Sequence, residues 1–246
     1  MAKFKTITGI VLRHIDYGEA EKLFIMLTPT GKFKAFAKGV RKVTSKNAGH
    51  LELFSHAHIQ LVEGNSNRHI IGSAMNIEKF DILAEKIECF AIGMFACEYL
   101  DIVVTENDED SYHHLLIILQ QLKKAPYNDN FILFALAHLS VCAGIMPSIE
   151  ECASCGETCN ESDIYFSFSS GGMLCEQCKR VDDVQELHIY HVKIIRNMYR
   201  QMATPMKYNI PKRHVVFVAN LLYKHLTYNL SQKIKTWRMI EDVVLK

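Results

Sequence analysis

Four cysteines constrain this chain more than any other feature. Cys152-x2-Cys155 and Cys175-x2-Cys178 form two tight pairs with 19 residues between them, a spacing that lets two thiolate knuckles converge on one tetrahedral zinc ion. Thiolates are soft donors, and four of them leave no open position for water or substrate, so the reading is one structural Zn2+ rather than a catalytic one. Between the knuckles Ile164 to Ser169 alternates like a strand and Gly171-Gly172 supplies a sharp turn, as in a zinc ribbon or rubredoxin-like module. A segment of about 30 residues has little core of its own, and thiolate–zinc binding supplies roughly 10 to 16 kcal/mol of folding free energy. Two alternatives stand beside this reading: four cysteines buried without metal, and Cys159 replacing one ligand.

The remaining cysteines decide against a disulfide framework. Cys89, Cys97 and Cys142 lie in apolar helical patterns, and the start of the chain, MAKFKTITGIVLRH, has no apolar signal region. A cytoplasmic, reducing setting is therefore expected, with metal-bound and buried thiols and no membrane span.

Upstream, the residues from Phe4 to Phe80 read as five short strands: Thr6 to Ile15, Lys22 to Thr28, Phe33 to Lys38, Phe54 to Glu63 and His69 to Ile77. Turns at Asp16-Tyr17-Gly18, Pro29-Thr30-Gly31 and Gly64-Asn65-Ser66-Asn67 separate them. Five strands in about 80 residues fit an OB-fold barrel, with an SH3-like barrel as competitor on strand count. The period then becomes helical over Asp81 to Asp101, Leu115 to Leu122, Phe131 to Ala143, Asp183 to Gln201 and Pro211 to Lys235. The fold class expected is α+β. An N-terminal OB-fold β-barrel domain spans 1–80, a mainly helical domain 81–150 and 182–246, and a four-cysteine zinc ribbon is inserted at 151–181.

Charge is uneven although the net is +1. Residues 1–80 carry 12 Lys/Arg against 6 Asp/Glu, residues 81–150 carry 3 against 11, and residues 151–246 carry 13 against 10. Binding to a polyanion depends on local charge, so a basic first third points to nucleic acid. Lys32, Lys34, Lys38, Arg41, Lys42 and Lys46 are the candidate DNA-binding residues. Alternation places Lys32, Lys34 and, after a local irregularity, Lys38 toward solvent, and Arg41 to Lys46 forms a basic loop. Phe33 and Phe36 are read as core residues opposing the lysines, with base stacking as the other use of their rings. A plain solubility patch is the bland alternative.

Enzyme signatures are weak. Gly31-Lys32-Phe33 lacks the rest of a P-loop, and neither GxGxxG nor HExxH occurs. Cys155-Gly156-Glu157 with Cys175-x2-Cys178 superficially matches a zinc deaminase with Glu157 as proton shuttle. That reading leaves Cys152 redundant and puts Leu174 where the motif has proline. His188-x2-His191 reads as a surface or packed pair, and His50, His56 and His58 receive no chemistry.

Taken together the residues resemble the bacterial recombination mediator family RecO, over nearly the whole chain. The resemblance rests on Thr8-Gly9-Ile10-Val11-Leu12 with Tyr17-Gly18-Glu19, on Ala37-Lys38-Gly39-Val40-Arg41-Lys42, and on Gly144 to Pro147 leading into Cys152-Ala153-Ser154-Cys155-Gly156. It continues through Phe166-Ser167, Gly171-Gly172-Met173-Leu174-Cys175 and Tyr223 to Lys235. It implies a non-enzymatic DNA repair protein of the cytoplasm and nucleoid that binds single- and double-stranded DNA and anneals complementary strands. The implied partners are RecR, single-stranded-DNA-binding protein and, indirectly, RecA. The acidic run Asp101 to Asp110 repels DNA. An acidic, apolar protein tail is instead expected on the helices bearing Arg196, Arg200, Lys224 and Lys233. The competing class is a zinc-containing protein-interaction adaptor with no direct DNA binding.

Overall fold

The computed structural model describes residues 4–63, 68–124, 126–159, 164–179 and 184–246; the turn expected at 64–67 lies outside them. The chain forms two compact units, 1–125 and 126–246.

In the first unit, strands β1 (Phe4–Tyr17), β2 (Glu21–Thr28), β3 (Gly31–Ala37), β4 (His56–Glu63) and β5 (His69–Glu78) close a barrel in the order β1-β2-β3-β5-β4. An antiparallel β1–β4 ladder completes the ring, and β3 meets β5 in parallel. This connectivity is that of the OB fold and settles the choice against the SH3-like barrel. Alternation turns Val11, Phe24, Met26, Ala35, Ile59, Leu61 and Ile71 inward to fill the barrel.

Parallel closure is slender, with the single register pair Phe36↔Ile70. Beyond it the edge of β5 is met by side chains. The Asn47 Nδ2 donates to the Gly72 carbonyl (3.1 Å) and its Oδ1 accepts from the Ala74 N–H (3.1 Å), as a neighbouring strand would. Asn76 Nδ2 donates to the Gly49 carbonyl at 3.2 Å in the same seam.

Two helices, α1 (Ile87–Val103) and α2 (Ser111–Lys124), cover part of the barrel's outside. A 3-10 helix, Asp81–Glu85, occupies the start of the stretch read as helical from Asp81. Phe54 adopts a left-handed backbone (φ 65°) between β3 and β4, and its ring lies against Gly93 of α1, where a Cβ would approach to 3.0 Å. Asp101 near the end of α1 pairs with Arg13 (2.5 Å), and Asp108 caps α2 by accepting from the Ser111 N–H and Oγ, both at 2.9 Å.

The second unit contains α3 (Asn130–Cys142), the sheet β7-β6-β8, and helices α4 (Ile189–Arg200), α5 (Lys212–Thr227) and α6 (Trp237–Val243). Its strands are β6 (Ile164–Ser167), β7 (Gly172–Leu174) and β8 (Val184–Leu187). Two readings are corrected. Helix was expected from Asp183, but Val184–Leu187 pairs with β6 (Ile164↔Leu187 to Ser167↔Val184), and α4 starts only after His188, whose Nδ1 accepts from the Tyr190 N–H; Asp183 itself lies outside the described residues. The last helix was expected to run to Lys235, but α5 ends at Thr227 and the chain turns so that Trp237 stacks on Tyr223, centroids 3.9 Å apart. Among the described residues no helix is long and apolar enough to cross a membrane.

Asn47→Ala should cost about 0.5–1.5 kcal/mol per hydrogen bond lost, because the Gly72 carbonyl and Ala74 N–H lose their partner together at a seam that water reaches; urea unfolding with intact metal content is the check. A second outcome concerns His191, stacked on Phe217 (4.0 Å) and bonded to His214 (3.1 Å). Burial, then the neighbouring His214 and His188, pull His191 from 6.5 down to about 4. The unfolded chain therefore binds the extra proton between pH 6.5 and about 4, and stability falls as pH drops through that window. His191→Phe should flatten this slope in denaturant titrations run across it.

Candidate functional site

Two places gather chemistry. The first is the cysteine cluster. Sγ atoms of Cys152, Cys155, Cys175 and Cys178 all lie within 4.8 Å of one another. The local backbone explains the convergence. Ser148 N–H donates to the Gly171 carbonyl (3.0 Å), Met173 N–H to the Ser148 carbonyl (2.7 Å) and Ala153 N–H to the Met173 carbonyl (2.7 Å), so the segment before the first knuckle runs alongside β7, which feeds the second. Gly172 is required at this approach, because a Cβ there would collide with the Ser148 backbone. Each knuckle then closes its own turn, Gly156 N–H to Cys152 carbonyl (2.9 Å) and Cys178 N–H to Cys175 carbonyl (3.0 Å).

The electrostatics favour a thiolate at Cys152. Burial pushes this thiol up, but N–H donors of Cys175, Cys155 and Ser154 outweigh it and hold the group at about 6. Four sulfurs this close together can hold a metal ion, and a set of four thiolates is the composition of a closed, structural site. Cys152 is thus an integral member, and the deaminase-like reading, which needs an open position beside Glu157, does not match the arrangement. Cys159 is half-buried and outside the group, while Cys89 and Cys97 are buried. Among the described residues no other set of three or more His, Cys, Asp or Glu side chains converges in this way.

The second place is the outer face of β3 and the loop after it. Lys34, Lys38, Arg41, Lys42 and Lys46 are exposed. Lys32 is not free: its Nζ donates to the Asp101 carbonyl (2.5 Å) and lies 3.7 Å from the Asp101 carboxylate, at the negative end of α1. Arg41 has a structural task, donating to the Gly18 carbonyl (3.2 Å) and pairing with Asp16 (3.5 Å), which straps the loop to the β1–β2 turn.

The strand register also differs from the expected irregularity. Lys34 pairs with Ile25 and Phe36 with Leu23, so residues 32, 34 and 36 share the outer face without a break. Phe33 faces inward, tilted against His69 (4.7 Å), whereas Phe36 stands among the lysines. Tyr17 packs edge-on to Phe36 (5.2 Å) and the Arg68 guanidinium lies over the Phe36 ring (5.4 Å). Tyr17 and Arg68 were not singled out as site residues; the odd-numbered alternation Ile15, Tyr17 was the available signal for the first.

In the second unit Arg196 donates through Nε and Nη2 to the Ile149 carbonyl (3.0 and 2.8 Å) and meets Glu150 at 3.1 Å. Arg200 meets the same carboxylate at 3.2 Å. Lys224, on α5, and Lys233, after it, are exposed.

Residues 1–73 match the family description "Recombination protein O N terminal", and residues 84–238 match "Recombination protein O C terminal". The chain belongs to the recombination protein O family. Curated relatives agree. It is 30% identical to the "DNA repair protein RecO" of Roseiflexus sp. over 239 residues, 96% of this chain and 84% of that one. It is 35% identical to that of Nocardioides sp. over 182 residues, 70% and 72% of the two chains. The RecO protein of Listeria monocytogenes is 30% identical over 179 residues, covering 71% and 68%. The two RecO matches cover the barrel, and the helices and cysteine cluster, respectively.

Elemental analysis should find one metal ion per chain, lost on Cys152→Ser or Cys175→Ser and retained on Cys159→Ser. Limited proteolysis should cut the 148–179 region faster in the two ion-free variants.

Proposed function

We propose that this RecO-family chain is a non-enzymatic recombination mediator that binds single- and double-stranded DNA and anneals complementary strands. With RecR it helps load RecA onto strands coated by single-stranded-DNA-binding protein. The observation that carries this reading is the exposed cation set Lys34, Lys38, Lys42 and Lys46 on and beside one outer strand of an OB barrel. Arg41 supports the loop while adding its charge, and Lys32, spent on Asp101, contributes least.

Such a surface holds phosphates by charge and releases counterions, without reading sequence. Annealing follows from the same physics: two strands whose phosphates are neutralised approach each other without nucleotide hydrolysis. The ion in the cysteine cluster is zinc in this reading, because four thiolates in a closed set suit a soft, redox-silent tetrahedral cation. Its role is architectural. The acidic, apolar tail of single-stranded-DNA-binding protein is assigned to Lys224 and Lys233. Arg196 and Arg200 join only where that tail displaces Glu150. The place of action is the cytoplasm, at the nucleoid.

Lys42→Ala and Lys34→Ala should each weaken DNA binding and reduce the slope of log affinity against log salt by roughly 0.7 for single strands and 0.9 for duplex per lost phosphate contact. Absence of saturable DNA binding at moderate salt would instead favour a protein-interaction adaptor.

A further inference from the structure

The four ligand sulfurs are unequally protected. Cys152 is 2% exposed, and its Sγ accepts the Cys175 N–H at 3.5 Å. Cys175 and Cys178 are half-buried, whereas Cys155 is exposed. Beside it Gly156 turns with φ 77°, and nothing from the rest of the chain lies within 4 Å of where a Cβ would stand there. The first knuckle is therefore open to solvent on this side. The Cys155 Sγ lies 3.8 Å from the Cys175 Sγ on the other knuckle. A disulfide holds its sulfurs at about 2.05 Å, so these two have about 1.8 Å to close.

We infer that the cysteine cluster is a redox switch: a hydroperoxide oxidises Cys155, Cys175 resolves it as a disulfide, and the metal ion is released. The inference rests on the metal-site reading above and adds a covalent modification to it. Zinc has no redox chemistry of its own, so the electrons available at such a site are those of sulfur. Oxidation follows thiolate character and access. All four ligands are thiolates when a metal is bound, and Cys155 is the one that solvent reaches.

The chemistry balances without a further reactant. The Cys155 sulfur attacks the terminal peroxide oxygen, an S–O bond forms, the O–O bond breaks, and hydroxide or alkoxide leaves. Sulfur loses two electrons and the peroxide gains them. The Cys175 thiolate then attacks the resulting sulfenic acid, the S–S bond forms and hydroxide leaves. Two protons from solvent convert the two leaving groups to water, or to water and an alcohol. Cys152 and Cys178 remain as two thiolates, too few for a closed structural site. Cys159 is half-buried and outside the converging set, and Cys89 and Cys97 are buried in α1, so they stay out of the exchange. The consequence is local. Loss of the ion loosens the 148–153 strap along β7, while the barrel keeps its own core in the other unit.

The test treats the full, metal-loaded chain with one equivalent of hydrogen peroxide. A chelating dye should report release of one ion per chain, and peptide mapping without reductant should find Cys155 joined to Cys175. A dithiol with added Zn2+ should restore the metal content. Cys159→Ser should release its ion at the wild-type rate. In Cys155→His, whose nitrogen donor forms no disulfide, release per bound ion should slow roughly tenfold or more. Metal that stays bound after treatment, or a disulfide that leaves out Cys155, overturns the switch. A Cys155–Cys159 bond overturns Cys175 as the resolving thiol. Absence of metal from the untreated chain overturns the metal-site reading itself.

Discussion

Closure of the five-stranded barrel is the constraint on which the first unit depends. A sheet that ends must leave two rows of backbone groups unpaired, and here the last gap is bridged by one parallel register pair and then by the amide of Asn47 acting as a strand. The loop that carries the basic residues is the segment that makes this seal. It leaves β3, buries Val40, ties Arg41 to the β1–β2 turn and ends at Asn47 on β5. Its cations are therefore displayed by a strap held at both ends, and positioning them costs less entropy than a free loop would require.

The second unit solves a different problem. Its small sheet is too short to bury much apolar surface, so stability must come from outside the sheet. Backbone hydrogen bonds lay the 148–153 segment against β7, Arg196 grips the Ile149 carbonyl from α4, and His225 donates from α5 to the Ile145 carbonyl at 2.8 Å. The cysteine cluster sits at the end of these contacts. Phe166 packs edge-on to His225 (5.4 Å), so the sheet and α5 share a core around that histidine.

Much of this was legible in the chain itself. Strand alternation and the turns at 16–18 and 29–31 place the barrel strands within a few residues, because one face of each is buried and the pattern records it. The cysteine spacing gathers the four sulfurs for the same reason that knuckles repeat: a Cys-x2-Cys turn can point both thiols at one centre. What escaped is non-local. Phe36 looks like core by composition, and only its register with Leu23 and Ile70 shows it facing outward. Arg68 reaches Phe36 through a parallel pairing between strands distant in the chain, which no local period encodes. Val184 to Leu187 has too few residues to separate strand from helix start, and its partner β6 decides. The end of α5 depends on the Tyr223–Trp237 stack, which again lies beyond any window along the chain.

The contact between Phe54 and Gly93 joins positions that sequence order keeps far apart. The aromatic ring is aimed by a backbone conformation that side chains rarely tolerate, and it meets α1 where the helix has no side chain. The two residues are coupled: a Cβ at 93 would press on the ring at 3.0 Å, and a smaller side chain at 54 would leave space under the helix. Barrel and helix are thus keyed to each other at one point, and a change on either side of it has to be answered on the other.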